Sequence, residues 1–338
     1  MRREEKTRRF LISLLVVVFV LGLTASYGCG KKETKVEKIK IALILPSTKD
    51  DMAWSQGMYE GVMAAQKELG VDNVEVNVTE QMPDPVNAGA AIRDYANKGF
   101  NIIIAHGSQY QNPVMEVAKD FPNVTFAYGT AFQTATNVFA YNPEAQDGAY
   151  IFGVLAAKLT KTKTVGIVGP VKTGDAIKYN YGFKQGVDSI DPSIKVLESY
   201  TGSFGDTIKA KEMATAQIEA GADILTGTAQ QSVGAIQAVA EKPGVYWFSN
   251  DVDQSSLAPD HIIASQAYKW KDVVLYIVDN YKKGKLGGEV ISLSLSNGRI
   301  EIVFNPKLKS TLITPEIEKL FNETLEKIKN GSIKVKLP

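Results

Sequence analysis

The chain of 338 residues is 44% hydrophobic and 22% charged, and its 38 Lys and Arg residues nearly balance 37 Asp and Glu residues. These values are typical of a folded globular protein with one large domain or two moderate ones, and the lack of a basic excess argues against a nucleic-acid partner. A single cysteine excludes a disulfide within the chain, and two histidines far apart in the sequence argue against a metal site. We expect no metal and no cofactor.

The first thirty residues have the pattern of a bacterial lipoprotein signal. Five basic residues precede the apolar run Phe10–Leu23, and Cys29 follows the small residue Gly28. A basic head, a short apolar stretch and small residues before a cleavage point are typical of an export signal. We expect cleavage before Cys29, lipid attachment to its thiol, and a position on the extracytoplasmic side of the cell membrane, in the periplasm or at the cell surface. The apolar run is shorter than the roughly 20 residues that span a bilayer, so an uncleaved anchor is the less favoured alternative.

Short β-branched runs alternate with amphipathic segments of helix length after a charged tether at residues 29–37. The predicted strands are Ile39–Leu45, Val74–Thr79, Ile102–Ala105, Val124–Tyr128, Thr164–Val168, Lys195–Tyr200, Ile224–Thr226, Val245–Phe248 and Ile262–Ser265. The predicted helices are Trp54–Leu69, Pro85–Asn97, Pro113–Asp120, Ala145–Leu159, Ala176–Ile190, Thr207–Ala220, Ser232–Val239 and Lys269–Tyr281. This alternation predicts α/β architecture, with mainly parallel sheets covered by helices on both faces.

The last part of the chain departs from this alternation. Ile291–Leu295 and Ile300–Phe304 flank an Asn-Gly turn, so we predict a hairpin there, followed by a final helix at Pro315–Lys329. The strands are too many for one sheet of ordinary size, and the polar stretch Thr130–Asn142 is suited to crossing between two lobes. We therefore expect a signal peptide at residues 1–28, the tether at 29–37, and one folded region at 38–338, whose first lobe is about 38–141 plus 265–290 and whose second lobe is about 142–262 plus the C-terminal region.

Polar and aromatic residues follow the first and third predicted strands, where sheets of this kind bind ligands. Asp50, Asp51, Trp54 and Ser55 come after the first strand, and Gln109 comes after the third. A tryptophan beside hydrogen-bonding groups is suited to stacking on a flat ligand. The alternative is that one of the two aspartates caps the following helix while Trp54 packs inward.

Similar residues occur in the second half of the chain. Phe204 lies in a Gly-rich loop, Gln231 follows the next strand, and Asp251 and Lys269 come after the two strands beyond it. A lysine at a helix start opposes the helix dipole, so we expect Lys269 to have a partner such as Asp251 or a ligand oxygen, with a solvated lysine as the alternative. Asp251 and Asp253 also allow a glycosyl-transfer interpretation, which no other acidic cluster supports.

At these loops the sequence resembles the basic membrane protein family of nucleoside-binding lipoproteins, the substrate-binding components of ABC importers. The resemblance covers roughly Lys38–Phe304, and its more specific pieces are Asp50–Gln56 with Tyr59-Glu60-Gly61, Gly182–Gly186, Gly202–Asp206 and Asp251–Gln254. It implies a two-lobed periplasmic-binding-protein type I fold, each lobe a mainly parallel sheet with helices on both faces. It also implies a binding protein without enzymatic activity that docks on a membrane ABC permease, and we expect a monomer because the cleft must open and close.

The resemblance implies roles for most of these residues. Trp54 and Phe204 match two aromatics that sandwich the base, and Asp251 and Lys269 match an aspartate and a lysine that hold the ribose. Ser55 matches a polar residue beside the first aromatic, and Asp50 or Asp51 matches an acidic residue of the first loop. Gln109 and Gln231 are candidates for contacts to the base edge or the ribose.

The ligand suggested by this resemblance is a purine nucleoside. Trp54 stands where the family commonly has Phe, and extra glutamine side chains replace a Gly-rich loop, so a free purine base or another small ligand is the alternative. A secreted nucleoside-processing enzyme is less favoured because the sequence has no Ser/His/Asp order, no zinc-type helix motif and no phosphate-binding glycine pattern.

Overall fold

Two six-stranded sheets form the framework of the computed structural model, which describes residues 38–338. The strands are β1 Ile39–Ile44, β2 Val74–Thr79, β3 Ile102–Ala105, β4 Thr125–Tyr128, β5 Val138–Pro143, β6 Thr164–Gly169, β7 Lys195–Tyr200, β8 Ile224–Gly227, β9 Tyr246–Asp251, β10 Ile262–Tyr268, β11 Val290–Leu293 and β12 Ile300–Phe304. The helices are α1 Trp54–Leu69, α2 Pro85–Asn97, α3 Gln111–Asp120, α4 Ala145–Leu159, α5 Gly174–Asp188, α6 Thr207–Glu219, α7 Ser232–Ala240, α8 Trp270–Lys282, α9 Pro306–Leu312 and α10 Pro315–Lys329.

The two sheets have equivalent strand orders. The first runs β11-β5-β4-β3-β1-β2 with every neighbouring pair parallel. The second runs β12-β10-β9-β8-β6-β7, and β12 on its edge is antiparallel to β10. The central strands β3, β4 and β8 are buried along their whole length because helices cover both faces of each sheet. The predicted α/β class with mainly parallel sheets is confirmed.

Helices pack in pairs on these sheets, and glycines allow the tightest pairing. α1 packs against α8 beside the first sheet, while α4 packs against α5 and α6 against α7 beside the second. A Cβ atom at Gly182 would lie 2.2 Å from the Gln146 carbonyl oxygen, and one at Gly186 would lie 2.1 Å from the Tyr150 carbonyl oxygen. The motif Gly182–Gly186 therefore has a packing role between α4 and α5. We call the first sheet with α1, α2, α3 and α8 the first lobe, and the second sheet with α4 to α7 the second lobe.

The predicted hairpin near the C-terminus is wrong. β11 pairs with β5 in the first sheet, whereas β12 pairs with β10 in the second, so the Asn-Gly turn joins two lobes. The turn itself forms as its residues predict, because Asn297 Oδ1 accepts hydrogen bonds from the amides of Ser294 and Arg299 at 3.0 and 3.1 Å. The strands beside it pair elsewhere because each forms the edge of a different sheet.

The polar stretch at 130–142 also differs from the prediction, since it contains β5, a buried strand of the first sheet. The chain passes between the two sheets three times within the described residues: after β5, between β10 and β11, and between β11 and β12. Residue 265, proposed as a lobe boundary, lies inside β10 of the second sheet.

The signal peptide, the tether and Cys29 lie outside the described residues. No helix of residues 38–338 is long and apolar enough to span a membrane.

Candidate ligand-binding cleft

A cavity lies at the carboxyl ends of the strands, where loops of both lobes face each other. It encloses about 640 Å³ including its open mouth. The first lobe contributes Pro46, Trp54, Gly107, Ser108, Gln109 and Thr130 to its wall, and the second contributes Thr173, Gly174, Asp175, Ala176, Phe204, Thr228, Ala229, Gln230, Asn250, Asp251 and Tyr268. No group of three metal-ligating side chains among residues 38–338 is placed to hold a metal ion.

Trp54, the first residue of α1, is an immobilised aromatic wall of the cavity. Its ring stacks on the His106 imidazole with centroids 4.1 Å apart and planes inclined by 10°. Trp270 and Tyr268 make edge contacts with the indole at 5.2 and 6.4 Å. Aromatic neighbours on several sides fix the orientation of the indole before a ligand arrives.

His106 is a neutral, fully buried support for this wall. Its Nε2 lies 3.1 Å from the Trp54 carbonyl oxygen, and its Nδ1 lies 2.8 Å from the Tyr141 hydroxyl. Since a carbonyl can only accept, Nε2 carries the proton and Nδ1 accepts from Tyr141. Burial lowers the pKa of His106 to about 3, so the imidazole stays uncharged at neutral pH. Sequence analysis located the loop of His106 but gave no sign of this supporting role.

The other predicted residues of the first loop lie beside the helix and outside the cavity wall. The Asp51 carboxylate accepts hydrogen bonds from three backbone amides at the start of α1, at 3.0 to 3.1 Å. Asp50 is exposed, and Ser55 is fully buried with its hydroxyl accepting the Ser47 amide at 3.3 Å. Asp51 therefore has the helix-capping role that was the alternative interpretation.

Phe204 brings a second aromatic ring to the cavity, from the opposite lobe. It is 42% exposed and lies in the loop after β7. The carbonyl oxygen of Phe204 accepts the backbone amide of Gln231 at 2.8 Å, which ties this loop to the start of α7. Trp54 and Phe204 thus line one cavity from two lobes.

Two adjacent glutamines at the start of α7 have different roles. Gln231 is buried, and its Nε2 donates to the carbonyl oxygens of Val168 and Thr228 at 2.9 and 2.8 Å. Its neighbour Gln230, which sequence analysis did not select, lines the cavity. Ala229 precedes them with φ of 65°, in the left-handed region that is uncommon for a residue with a side chain. Gln109 lines the cavity from the first lobe.

Asp251 is a buried carboxyl group at the end of β9. Its Oδ1 accepts the Asn250 side-chain amide at 2.7 Å, while Oδ2 accepts no well-formed hydrogen bond from residues 38–338, although the Ala229 backbone amide approaches the carboxyl group. Burial, together with the charges of Asp51 and Asp175, raises the pKa of Asp251 to about 8. A φ of 81° is uncommon for a residue with a side chain and is typical of functional positions.

Asn250 links Asp251 to a buried polar floor. Asn250 Oδ1 accepts Gln266 Nε2 at 2.8 Å and the Tyr268 hydroxyl at 3.0 Å. With its oxygen occupied in this way, the Asn250 amide is oriented to donate to Asp251. The network therefore fixes the carboxyl group on the cavity wall.

Lys269 does not reach Asp251 or the cavity wall. Its Nζ lies 2.9 Å from Glu301 Oε2, and the side chains are 40% and 46% exposed. The partner expected for this lysine is thus present, but it is a surface carboxylate. The structure does not bring together the aspartate and lysine that the resemblance implied for ribose.

Asp175, in the first turn of α5, is a cavity residue that sequence analysis missed. Lys178 Nζ lies 2.9 Å from its Oδ1, and the same Nζ donates to Asn142 Oδ1 at 2.9 Å and the Pro143 carbonyl oxygen at 2.7 Å. Burial raises the pKa of Asp175 to about 6, although Lys178 opposes the rise. An acidic residue in a first helical turn is ordinary in a sequence, so only the fold shows that it lines a cleft.

Comparison with known proteins assigns a family and a fold. The family model described as ABC transporter substrate-binding protein PnrA-like (Bmp) matches residues 38–337. The chain is 28% identical over 317 residues to a purine-binding protein of Brucella abortus, covering 93% of this chain and 87% of the relative. It is 26% identical over 324 residues to the transcriptional activator protein Med of Bacillus subtilis, covering 95% of this chain and 100% of the relative. The crystal structure of an ABC transporter solute-binding protein from Aeropyrum pernix K1 has a similar fold, with a TM-score of 0.78, 20% identity, and coverage of 89% of this chain and 94% of that one.

Proposed function

The chain belongs to the Bmp family of PnrA-like ABC transporter substrate-binding proteins, and from this premise we propose that it binds a purine between its two lobes for an ABC importer. The observation that carries the proposal is the pair Trp54 and Phe204, which line one cavity from opposite lobes. Each base stacked on an aromatic side chain gains about 1–3 kcal/mol. The base would lie between these rings, and closure of the lobes would bury it.

A free purine base is the ligand that the geometry favours. A ribose clamp needs Lys269 beside Asp251, and Lys269 is paired with Glu301 outside the cavity. A purine nucleoside is the second candidate, because the unpartnered Oδ2 of Asp251 can accept a hydrogen bond from a ribose hydroxyl.

Isothermal titration of the soluble form, Lys31–Pro338, tests both candidates. It contains the whole compact unit Lys38–Pro338. The protein is unfolded and refolded to remove bound ligand, then titrated with adenine, hypoxanthine, adenosine, inosine, guanosine and uridine. Submicromolar binding of a base supports the first candidate, and tight binding of nucleosides alone supports the second. Absence of heat with every purine would contradict the proposal.

The protein acts, in this proposal, as a monomer tethered by lipid on Cys29 at the extracytoplasmic face of the membrane, where its closed form docks on the permease. The support is the export pattern before Cys29 together with family membership. Metabolic labelling with a radioactive fatty acid tests the tether. Cys29→Ser should lose the label and appear in the soluble fraction, and a labelled or membrane-bound variant would contradict lipid attachment at this residue.

We propose binding without catalysis. The alternative enzyme would use Asp251 and Asp253, but Asp253 is exposed and its Oδ1 accepts the Ser255 amide at 3.0 Å, away from the cavity wall. Incubation with inosine should release no ribose. Ribose release that Asp251→Asn abolishes would establish the enzyme instead.

A further inference from the structure

Two carboxyl groups face the cleft from the second lobe, and neither is satisfied by the protein. Asp251 is 3% exposed, and the Asp175 side chain is 16% exposed. Oδ2 of each group is buried and accepts no well-formed hydrogen bond from residues 38–338, although the Ala229 backbone amide approaches Asp251 and the Thr130 hydroxyl of the first lobe approaches Asp175. A buried polar atom without a partner is costly, so such atoms in a cavity wall point to groups that a ligand supplies.

Lys178 fixes Asp175 but has nothing left to offer a ligand. An ammonium group has three N–H donors. Those of Lys178 face three acceptors within 2.9 Å: Asp175 Oδ1, Asn142 Oδ1 and the Pro143 carbonyl oxygen. The lysine therefore holds one oxygen of Asp175 in place and leaves the other for the cleft.

We propose that Asp175 and Asp251 each accept a hydrogen bond from the ligand, so that the site selects an uncharged purine with N–H donors on two edges. An ionised carboxylate can only accept, which sets the requirement for donors, and an N–H donor at Asp251 stabilises the ionised form over the protonated form that the ligand-free protein holds at neutral pH. A free aminopurine base meets it, because its exocyclic amine and its imidazole N–H lie at opposite ends of the ring system. Phosphorylated ligands are disfavoured, since a phosphate has no N–H donor and is repelled by an ionised carboxylate. This inference rests on the proposed binding of purines.

Three ligands test the assignment, because two of them each lack one donor that the first has. Adenine has both donors, purine lacks the exocyclic amine, and 9-methyladenine lacks the imidazole N–H. The soluble protein should bind adenine more tightly than either analogue. Asp175→Asn should weaken adenine binding about tenfold, because hydrogen bonds to charged groups are the stronger ones. Asp175→Asn should leave almost unchanged the affinity for the analogue that lacks the donor facing Asp175. Asp251→Asn should leave almost unchanged the affinity for the other analogue.

A purely structural role for Asp175 gives a different result. If Asp175 only positions Lys178 between the lobes, Asp175→Asn lowers affinity for all three ligands equally, and that outcome overturns the inference. Asp188→Asn is the matched control, since Asp188 is exposed at the other end of α5. Thermal unfolding without ligand verifies that each variant folds.

The outcomes also separate this inference from the proposed function. If the unaltered protein binds no purine, the proposed function is wrong and the inference falls with it. If the unaltered protein binds adenine and Asp175→Asn binds it equally well, only the role of Asp175 is wrong.

Discussion

Trp54 and His106 exchange two hydrogen bonds while their rings stack. Trp54 Nε1 donates to the His106 carbonyl oxygen at 3.1 Å, and His106 Nε2 donates to the Trp54 carbonyl oxygen at 3.1 Å. The two residues are 52 positions apart: Trp54 begins α1, and His106 directly follows β3. The reciprocal bonds make the aromatic wall rigid before binding, so less side-chain entropy is lost when a base stacks on it.

Trp54→Ala should weaken purine binding by about 1–3 kcal/mol, since it removes the stacking surface. Isothermal titration with adenine measures the change. Phe132→Ala is the control, because Phe132 is 67% exposed and does not line the cavity. Unchanged affinity in Trp54→Ala would rule out stacking on the indole.

Burial of neutral His106 should make the protein less stable in acid. Its pKa is about 3 in the folded protein and 6.5 without burial, so between these values the unfolded state binds the additional proton. The free energy of unfolding should therefore fall as the pH falls from about 6.5 towards 3, at up to about 1.4 kcal/mol per pH unit from this group. Urea unfolding across this range should show a smaller pH dependence for His106→Gln. His261→Gln, at the only other histidine, is the matched substitution. An identical pH dependence in His106→Gln and the unaltered protein would contradict the assignment.

Asp251→Asn should stabilise the ligand-free protein at neutral pH while it weakens binding. The pKa of Asp251 is about 8 in the folded protein against 3.8 for the free group, so the folded state keeps a proton that the unfolded state loses. Stability is therefore lost as the pH rises from about 4 to about 8, and the substitution removes that loss. Urea unfolding measures the free energy of unfolding of the variant and of the unaltered protein at pH 4 and pH 7. The variant's value, relative to that of the unaltered protein, should be higher at pH 7 than at pH 4 by at least about 1 kcal/mol. Equal effects at both pH values would show that Asp251 is ionised in the folded protein.

Lys269→Gln should change the affinity for adenosine by less than about twofold, because an exposed ion pair such as Lys269 with Glu301 contributes little and lies outside the cavity. Titrations with adenosine and adenine, with Glu301→Gln measured in parallel, provide the comparison. A loss of tenfold or more for adenosine alone would place Lys269 at the ribose and favour the nucleoside.

The alternation of strands and helices predicted both sheets because burial on two faces leaves a continuous apolar run at each strand. It missed β5, whose Asn142 and Pro143 look like loop residues although the whole strand is buried. The Asn-Gly turn was recognised correctly, yet a turn does not determine which sheet its flanking strands join. The site was harder to predict, since nothing in the sequence distinguishes Gln230, which lines the cavity, from its neighbour Gln231, which does not.

The pairing of β11 with β5 has a consequence for how this protein is made. Ala140 lies beside Val290 in the first sheet, so a ribosome must synthesise nearly the whole chain before that sheet can be completed. The intervening residues include all the strands of the second sheet except β12. Such long-range pairing slows folding and leaves the first sheet incomplete until late in synthesis.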